Sequence, residues 1–383
     1  PASGVMGLVV AVVAARRVAV VRVVVVAALV NAPWIASGLR DVAQARTDPS
    51  AVGLFELQPE GSFGRIGSAL TLGGIWNTEV VPTSRTLPLA VVVALVVGAL
   101  VLVGLGRLWR DDRHLLGTTA AIGVAGLGVS LGGWLVPDLV ARVVADVPAG
   151  GLVRDGTRWL ALLVPLEAVA FGAGVGAAVR RVKDEGAVVP LAVLAVLLPV
   201  IALPDLAWGV GGRLQPVDYP SSWASARAAV AASPVAGDVV VLPFSAYRRP
   251  PWNRGETVLD PAGRYFDRTT VTNDELEVSG RTIRGEDRRA ASVRRALAGD
   301  DVVRGLARRG IGVVVVETDA PGARRSVRLL EGADEQEVAG TGLRVFTIDG
   351  ARARGIDPDD RRTMIVAWGA AGATVVAALL ALV

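Results

Sequence analysis

Long, uninterrupted blocks of apolar residues are the feature that most limits the fold of this chain. They lie at residues 3–14, 18–37, 88–106, 115–136, 158–179, 187–207 and 363–383. A helix of about 20 apolar residues, rising about 1.5 Å per residue, crosses a hydrocarbon core of about 30 Å. The chain is 52% hydrophobic with a mean hydropathy of +0.49, which is more apolar than soluble domains usually are. We therefore predict a multi-pass membrane protein, whose short first block is the end of a truncated helix.

Basic residues in the short connections predict the orientation. Three clusters fall on one side of the membrane by helix parity: Arg16, Arg17 and Arg22; Arg107, Arg110 and Arg113; and Arg180, Arg181 and Lys183. The positive-inside rule makes this side cytoplasmic, in the plasma membrane. Segments 38–87, 137–157 and 208–362 are then external. Arg361 and Arg362 lie on the external side and do not follow the rule, but long translocated domains are largely exempt from it.

Between Pro216 and Asp360 the composition changes to mixed charge with short apolar runs, which indicates a separate folded domain. Segments 238–244 (DVVVLPF) and 312–318 (GVVVVET) are Val-rich and predict buried strands. Segments 222–232 and 301–309 predict helices, and 335–340 with 343–348 predict a hairpin. We expect a transmembrane helical bundle over residues 1–207, an extracytoplasmic α/β domain over 208–362, and a final transmembrane helix over 363–383.

Small residues within the apolar blocks predict close helix packing. Gly128 with Gly132, and Gly172 with Gly176, have the spacing that lets two helix backbones approach each other. We expect these pairs to lie at helix contacts.

Residue counts exclude several kinds of chemistry. With no Cys, the chain has neither disulfides nor a cysteine nucleophile, and its one His, His114, lies in a predicted cytoplasmic loop. An external His-based triad or zinc site is therefore excluded. Although the pI is 10.2, we attribute the basic excess to membrane topology and expect membrane lipids, not nucleic acid, as partners.

Glu167 is an acidic residue inside a predicted span, two residues after Pro165. Ionisable groups at membrane depth are costly and often functional. Two interpretations stay open: a site for transport or catalysis, or a protonated side chain that bonds a carbonyl freed by the proline.

The first external segment, 38–87, carries Glu56, Glu60 and Glu79 between Trp34 and Trp76. Carboxylates are suitable ligands for a divalent cation, although their spacing here matches no known ligand pattern. The alternative is a packed loop at the membrane interface with the two Trp rings at headgroup depth.

The segment 244–266 interleaves aromatic residues with arginines. Its candidate binding residues are Arg248, Arg249, Trp252, Asn253 and Arg264. Guanidinium groups bind phosphate in bidentate fashion, and aromatic faces pack on sugars or cations. A glycan or lipid-phosphate site is one interpretation. A loop clamped to its own domain by arginines is the other.

Several motifs resemble the GT-C glycosyltransferase superfamily as found in large actinobacterial membrane proteins. They are NAPW at 31–34, GGIWN at 73–77, DGTRW at 155–159, and YRRPPWN at 247–253 after Leu242 and Pro243. The resemblance implies transfer of a sugar from a polyprenyl-phosphate carrier to a cell-envelope glycan, often with a divalent metal, and it adds Arg158 to the candidate binding residues. It also implies a catalytic carboxylate in a loop upstream of Pro1, so the catalytic residues stay unknown.

Two other functions remain open. A transporter or lipid flippase would use Glu167, and a non-catalytic envelope scaffold would bind partner proteins through the external domain. No internal repeat supports a transporter.

Overall fold

A computed structural model describes residues 17–42, 47–278, 280–355 and 357–381. The first apolar block and Arg16 lie outside the described residues. The chain forms two compact units: Pro1–Gln215 together with Asp359–Val383, and Pro216–Pro358. The first is the helical unit and the second is the α/β unit.

The helical unit contains long apolar helices joined by shorter ones. Its α-helices are α1 (Arg17–Val30), α2 (Ala32–Val42), α3 (Gly64–Leu70), α4 (Thr83–Thr86), α5 (Pro88–Asp111), α6 (Arg113–Leu135), α7 (Pro137–Asp146), α8 (Val164–Val179) and α9 (Glu185–Ala202), with α15 (Pro358–Leu380) at the end of the chain. Short 3₁₀ helices lie at Pro49–Leu54, Thr78–Val80, Gly150–Val153, Gly156–Leu162 and Pro204–Leu206.

Four of these helices, α5, α6, α9 and α15, are long and apolar enough to cross a membrane, and two bent helix pairs meet the same test. The prediction of a multi-pass membrane protein is confirmed. Helix α9 ends at Ala202, earlier than the block at 187–207 indicates, because Pro204 follows it.

Two of the predicted spans are bent, and a proline explains each bend. Val21–Val30 and Ala32–Arg40 meet at 70°, and Gly156–Leu162 meets Val164–Val179 at 42°. Pro33 and Pro165 lack the backbone N–H that would continue each helix through the preceding turn. At the first bend the Asn31 side chain donates to Ala27 O at 2.8 Å.

Glycine allows the closest helix crossing, at positions other than the expected pairs. A Cβ on Gly104 of α5 would lie 1.7 Å from Ala170 O of α8, and one on Gly174 would lie 1.9 Å from Leu100 O. Gly128 and Gly172 face open space, while Gly132 and Gly176 meet side chains of Val140 and Arg180. The spacing defines one face of a helix but not the helix that packs on it, so the expectation was wrong for Gly128 and Gly172.

The α/β unit is built on a five-stranded mixed sheet. Its strands are β1 (Asp238–Leu242), β2 (Tyr247–Arg248), β3 (Val258–Leu259), β4 (Thr270–Val271), β5 (Leu276–Val278), β6 (Arg281–Ile283), β7 (Ile311–Glu317), β8 (Asp334–Gln336) and β9 (Leu343–Thr347). The sheet order is β4-β1-β7-β9-β8, and β2 with β3 and β5 with β6 form two-stranded ladders. Strand β1 is parallel to β4 and β7, whereas β9 is antiparallel to β7 and β8.

Helices cover both faces of this sheet. They are α10 (Ser221–Ala232), α11 (Ala262–Tyr265), α12 (Arg288–Leu297), α13 (Val302–Ala307) and α14 (Ala323–Arg328). Because side chains alternate along a strand, Val240 and Val314 pack under α12, α13 and α14, while Val239 and Val313 pack under α10 and α11. The predicted strands at 238–244 and 312–318 and the helix at 222–232 are confirmed, and the hairpin is confirmed with a longer connection across residues 337–342.

Candidate functional site: an aromatic face on the α/β unit

Five aromatic side chains gather on the α10 side of the sheet, and we call this cluster the aromatic face. Its members are Tyr219, Trp223, Trp252, Tyr265 and Phe266. Trp223 is buried at its centre and stacks on Phe266 with ring centroids 5.9 Å apart. Tyr219 is 39% exposed, and its ring lies 4.8 Å from Trp252 and 4.7 Å from Tyr265. The buried pair thus supports three rings that reach the surface.

Three segments of the chain bring these rings together. Tyr219 precedes α10, Trp223 lies in its first turn, and Trp252 lies in the 3₁₀ turn Pro251–Asn253. Tyr265 and Phe266 lie at the end of α11, which begins after Pro261. These segments thus bring together rings that lie far apart in the sequence.

Charged and polar groups border the aromatic face. Arg227 and Asp267 form a bidentate pair at 2.6 and 2.7 Å, and the Arg227 guanidinium lies 5.8 Å from the Tyr265 ring centroid. This pair raises the pKa of Arg227 and lowers the pKa of Asp267, so both are charged at neutral pH. Burial and the nearby Tyr265 raise the pKa of Tyr219, whose phenol therefore remains a hydrogen-bond donor. Arg264 is exposed beside them.

Arg248 has a different place from the other arginines of the segment 244–266. It is buried, and its guanidinium bonds Asp260 at 3.0 Å and Glu317 at 3.2 Å. Burial opposes the charge of Arg248, but the two carboxylates outweigh it and raise its pKa. For Glu317 burial prevails over Arg248, and its pKa is raised. With two carboxylates and one guanidinium in the cluster, this direction is the expected one.

The Arg248 cluster holds the aromatic segment against the sheet. Arg248 reaches Val241 O at the end of β1, Glu317 ends β7, and Asp260 accepts the Ala262 N–H at the start of α11. Among the described residues, Arg248 Nε and Glu317 Oε1 have no hydrogen-bond partner. Arg248 therefore clamps the loop to its own domain, which is the second of the two interpretations of the segment 244–266.

The other predicted residues of this segment are accessible. Arg249 is exposed and donates from Nε to Thr257 Oγ1 at 2.9 Å, and half-buried Asn253 donates to Glu256 O at 3.1 Å. Trp252 and Arg264 lie at the aromatic face. Sequence reasoning missed Tyr219, Trp223 and Arg227, which lie outside the segment; the only available signal was a Tyr and a Trp four residues apart at a helix start.

The remaining candidates lie in the helical unit. Arg158 is exposed and pairs with Asp155 at 2.7 Å. Glu167 is half-buried in the first turn of α8, nearer a helix start than the sequence indicated, and no hydrogen bond to its carboxylate is found among the described residues. An acidic residue is favourable at this end of a helix dipole.

The three carboxylates of the first loop do not form a metal site. Glu60 is 3% exposed, and its oxygens accept from Gly74 N at 2.6 Å, from Ile75 N at 3.2 Å and from Arg85. Glu56 pairs with Arg65 at 2.8 Å, and Glu79 is exposed. Within the described ranges, no three His, Asp or Glu side chains are grouped to hold a metal.

The loop around them is folded. Trp76 packs edge-on against Phe55 with centroids 4.9 Å apart, whereas Trp34 is exposed on α2. Leu57 and Ala69 form a small core with Leu160. Glu60 and Arg85 therefore hold this loop together, as the packed-loop alternative predicts.

Comparisons with known proteins give one structural neighbour to report. No protein-family model matches the sequence, and no curated protein matches it. The cryo-EM structure of arabinofuranosyltransferase AftD from mycobacteria is similar with a TM-score of 0.43 and 15% sequence identity, over 84% of this chain and 24% of that chain. This chain thus spans about a quarter of AftD. At a TM-score of 0.43 this likeness supports no argument about the family or the reaction, so the resemblance to glycosyltransferases stays a prediction.

Proposed function

We propose that this chain is part of a membrane glycosyltransferase of the GT-C type and that its α/β unit binds a cell-envelope glycan at the aromatic face. The donor is a sugar on a polyprenyl-phosphate carrier, and the unit works on the extracytoplasmic side. The observation that supports the proposal is the group of surface rings of Tyr219, Trp252 and Tyr265, bordered by the paired Arg227 and Asp267.

The chemistry of this surface suits a sugar. The C–H side of a sugar ring is apolar and packs on an aromatic face, which Tyr and Trp provide while keeping a polar atom for hydrogen bonding. Sugar hydroxyls are both donors and acceptors, and Arg227 with Asp267 offers both types of group. Because the rings rest on buried Trp223 and Phe266, they are held in place before the ligand arrives.

Glycan binding can be measured on the whole chain in lipid nanodiscs. We would add a hexasaccharide of arabinofuranose and, separately, maltohexaose, and follow saturation transfer from protein to sugar protons by NMR. The variants Trp252→Ala and Tyr219→Ala should weaken binding of at least one sugar about tenfold or more. Tyr247→Ala is the matched control, because Tyr247 is 49% exposed and lies outside the aromatic face. Equal binding by all four proteins would refute the proposal.

We propose two separate contacts with lipid phosphate, one at Arg158 of the helical unit and one at Arg249 of the α/β unit. Both side chains are exposed, and each has a single polar partner among the described residues that a phosphate can replace. Native mass spectrometry with polyprenyl phosphate and its sugar-bearing form should show lipid retention that falls in Arg158→Gln and, tested separately, in Arg249→Gln. Unchanged retention would exclude this role.

A transporter or flippase remains the second candidate because Glu167 lies in a bent span without a side-chain partner among the described residues. Glu167→Gln should then stop lipid translocation in proteoliposomes and leave glycan binding unchanged. Translocation at the wild-type rate in this variant would exclude it.

A further inference from the structure

Helices α12, α13 and α14 form one layer on the sheet face opposite the aromatic face. Val293 of α12, Leu306 of α13 and Val327 of α14 pack into the same core as Val240 and Val314. The aromatic face packs on Val239 and Val313, which point the other way. The α/β unit therefore has two chemically different sides, separated by the sheet.

The outer surface of this helical layer is rich in unpaired arginine. Six exposed side chains form what we call the basic layer: Arg288, Arg295, Arg308, Arg324, Arg325 and Arg328. Within the part of the chain that the structure describes, none of the six has an ion-pair partner. Other arginines of the unit are paired, as Arg289 is with Asp238 and Arg344 with Glu335. Exposed arginines without an ion pair among the described residues also occur elsewhere in the unit, such as Arg264 and Arg281, but the basic layer brings six of them together on or beside three neighbouring helices.

Acidic residues near the basic layer lie at helix ends and not on the outer helix faces. Asp287 and Asp301 cap α12 and α13 by accepting the Arg289 N–H at 2.6 Å and the Arg304 N–H at 3.0 Å. The exposed carboxylates of Glu286, Asp300 and Glu331 lie next to helix ends. The outer helix faces themselves therefore carry free guanidinium groups.

We propose that the basic layer docks on anionic phospholipid headgroups. Guanidinium groups bind phosphate in bidentate fashion, and a cluster of basic residues is attracted to a negatively charged leaflet. The position of the unit in the chain favours a bilayer over a soluble polyanion, because α9 precedes it and α15 follows it, and both are membrane-span candidates. Docking through this layer would leave the aromatic face on the side away from the lipid.

The absence of cysteine in the natural sequence makes the orientation measurable. A donor dye is placed on Ala298→Cys, beside α12, or on Ala228→Cys, on α10 across the sheet; both positions are exposed. The full chain is reconstituted in nanodiscs that contain headgroup-labelled acceptor lipid, with either phosphatidylcholine alone or an equal mixture with phosphatidylglycerol. Energy transfer reports the distance of each dye from the headgroups.

If the basic layer docks on lipid, energy transfer in the anionic discs should be about twofold or more higher from a dye at position 298 than from a dye at position 228. The difference should disappear at 0.5 M NaCl, in phosphatidylcholine alone, and in a variant with Arg324, Arg325 and Arg328 changed to Gln. A charge-matched control with Arg281, Arg284 and Arg352 changed to Gln should keep it, because these exposed residues lie outside both the basic layer and the aromatic face. Transfer that is equal at both positions, or larger at 228, would overturn the proposal, and so would a difference that the α14 variant or salt leaves unchanged.

Discussion

At the residue scale, Arg248 is the side chain on which the position of the aromatic segment depends. Its guanidinium bonds two carboxylates from different parts of the chain, and all three groups are buried. Removing one partner of a buried ion cluster leaves uncompensated charge, which is costly, whereas exposed charges are screened by water. Neighbouring Arg249 is exposed and has no carboxylate partner among the described residues. Two adjacent arginines therefore have unequal roles.

We predict that Arg248→Gln destabilises the α/β unit by about 3–5 kcal/mol, whereas Arg249→Gln changes its stability by less than about 0.5 kcal/mol. Limited proteolysis of the full chain under increasing urea would measure both. A small effect of Arg248→Gln would mean that the loop is held by its aromatic contacts alone. Loss of function in an Arg248 variant would therefore indicate loss of folding before it indicates loss of a binding contact.

Glu317 gives the α/β unit a pH dependence of known sign. Burial raises its pKa in the folded state, so its contribution to stability is fully present below the unfolded-state pKa and is lost as pH rises through the folded value. Glu317→Gln should make the unit more stable than wild type at pH 7–8, with the difference vanishing in acid. Urea unfolding followed by proteolysis across pH 4–8 would test this.

Glu335→Gln is the control with the opposite sign. Its hydrogen bond to Arg344 lowers the pKa of Glu335, so its contribution is present at neutral pH and is lost as pH falls through the folded value. This exposed variant should be slightly less stable than wild type at pH 7. If the stability difference from wild type changed with pH in the same direction for both variants, burial of Glu317 would have no effect on the pH dependence of stability.

At the element scale, the crossing of α5 and α8 depends on glycine. Gly104 and Gly174 lie where each backbone meets the other, so no side chain fits between the helices. Gly106 lies on α5 with open space around its Cβ position. Gly104 and Gly106, two of the three glycines of α5, lie two residues apart in sequence but on different faces of the helix.

We predict opposite effects for the same substitution at these two glycines. Gly104→Ala should push α5 and α8 apart and destabilise the bundle by about 1–3 kcal/mol, whereas Gly106→Ala should be neutral or slightly stabilising, since Ala favours a helix. Heating the purified protein in detergent and measuring the monodisperse fraction by size exclusion would compare them. If Gly104→Ala lost its monodisperse fraction at the same temperature as the wild type, the result would contradict this packing.

At the scale of the whole molecule, the orientation remains a prediction of the positive-inside rule. Lys183 lies in the third basic cluster, and Ala298 lies in the α/β unit; both are exposed. A membrane-impermeant maleimide should label Ala298→Cys in intact cells and label Lys183→Cys only after permeabilisation. The chain has no other cysteine, so labelling is specific to the site. The reverse pattern would place the α/β unit in the cytoplasm and remove it from envelope glycans.

The sequence by itself determined the parts of this protein that are encoded by neighbouring residues. Membrane spans follow from about 20 apolar residues in succession, β1 and β7 from Val-rich runs, and α10 from its local pattern. The bends after Asn31 and before Val164 are local as well, since each depends on one proline. These features need no knowledge of which elements meet.

Only the tertiary structure decided which side chains meet across the chain. Arg248 and Arg249 are adjacent in sequence, yet the pairing of β1 with β7 buries one beside Glu317 and leaves the other in solvent. Tyr219 joins Trp252 and Tyr265, and Gly104 meets Ala170, only because distant segments pack together. The physical reason is that spacing along a helix or strand defines a face, but not the neighbour that this face will contact.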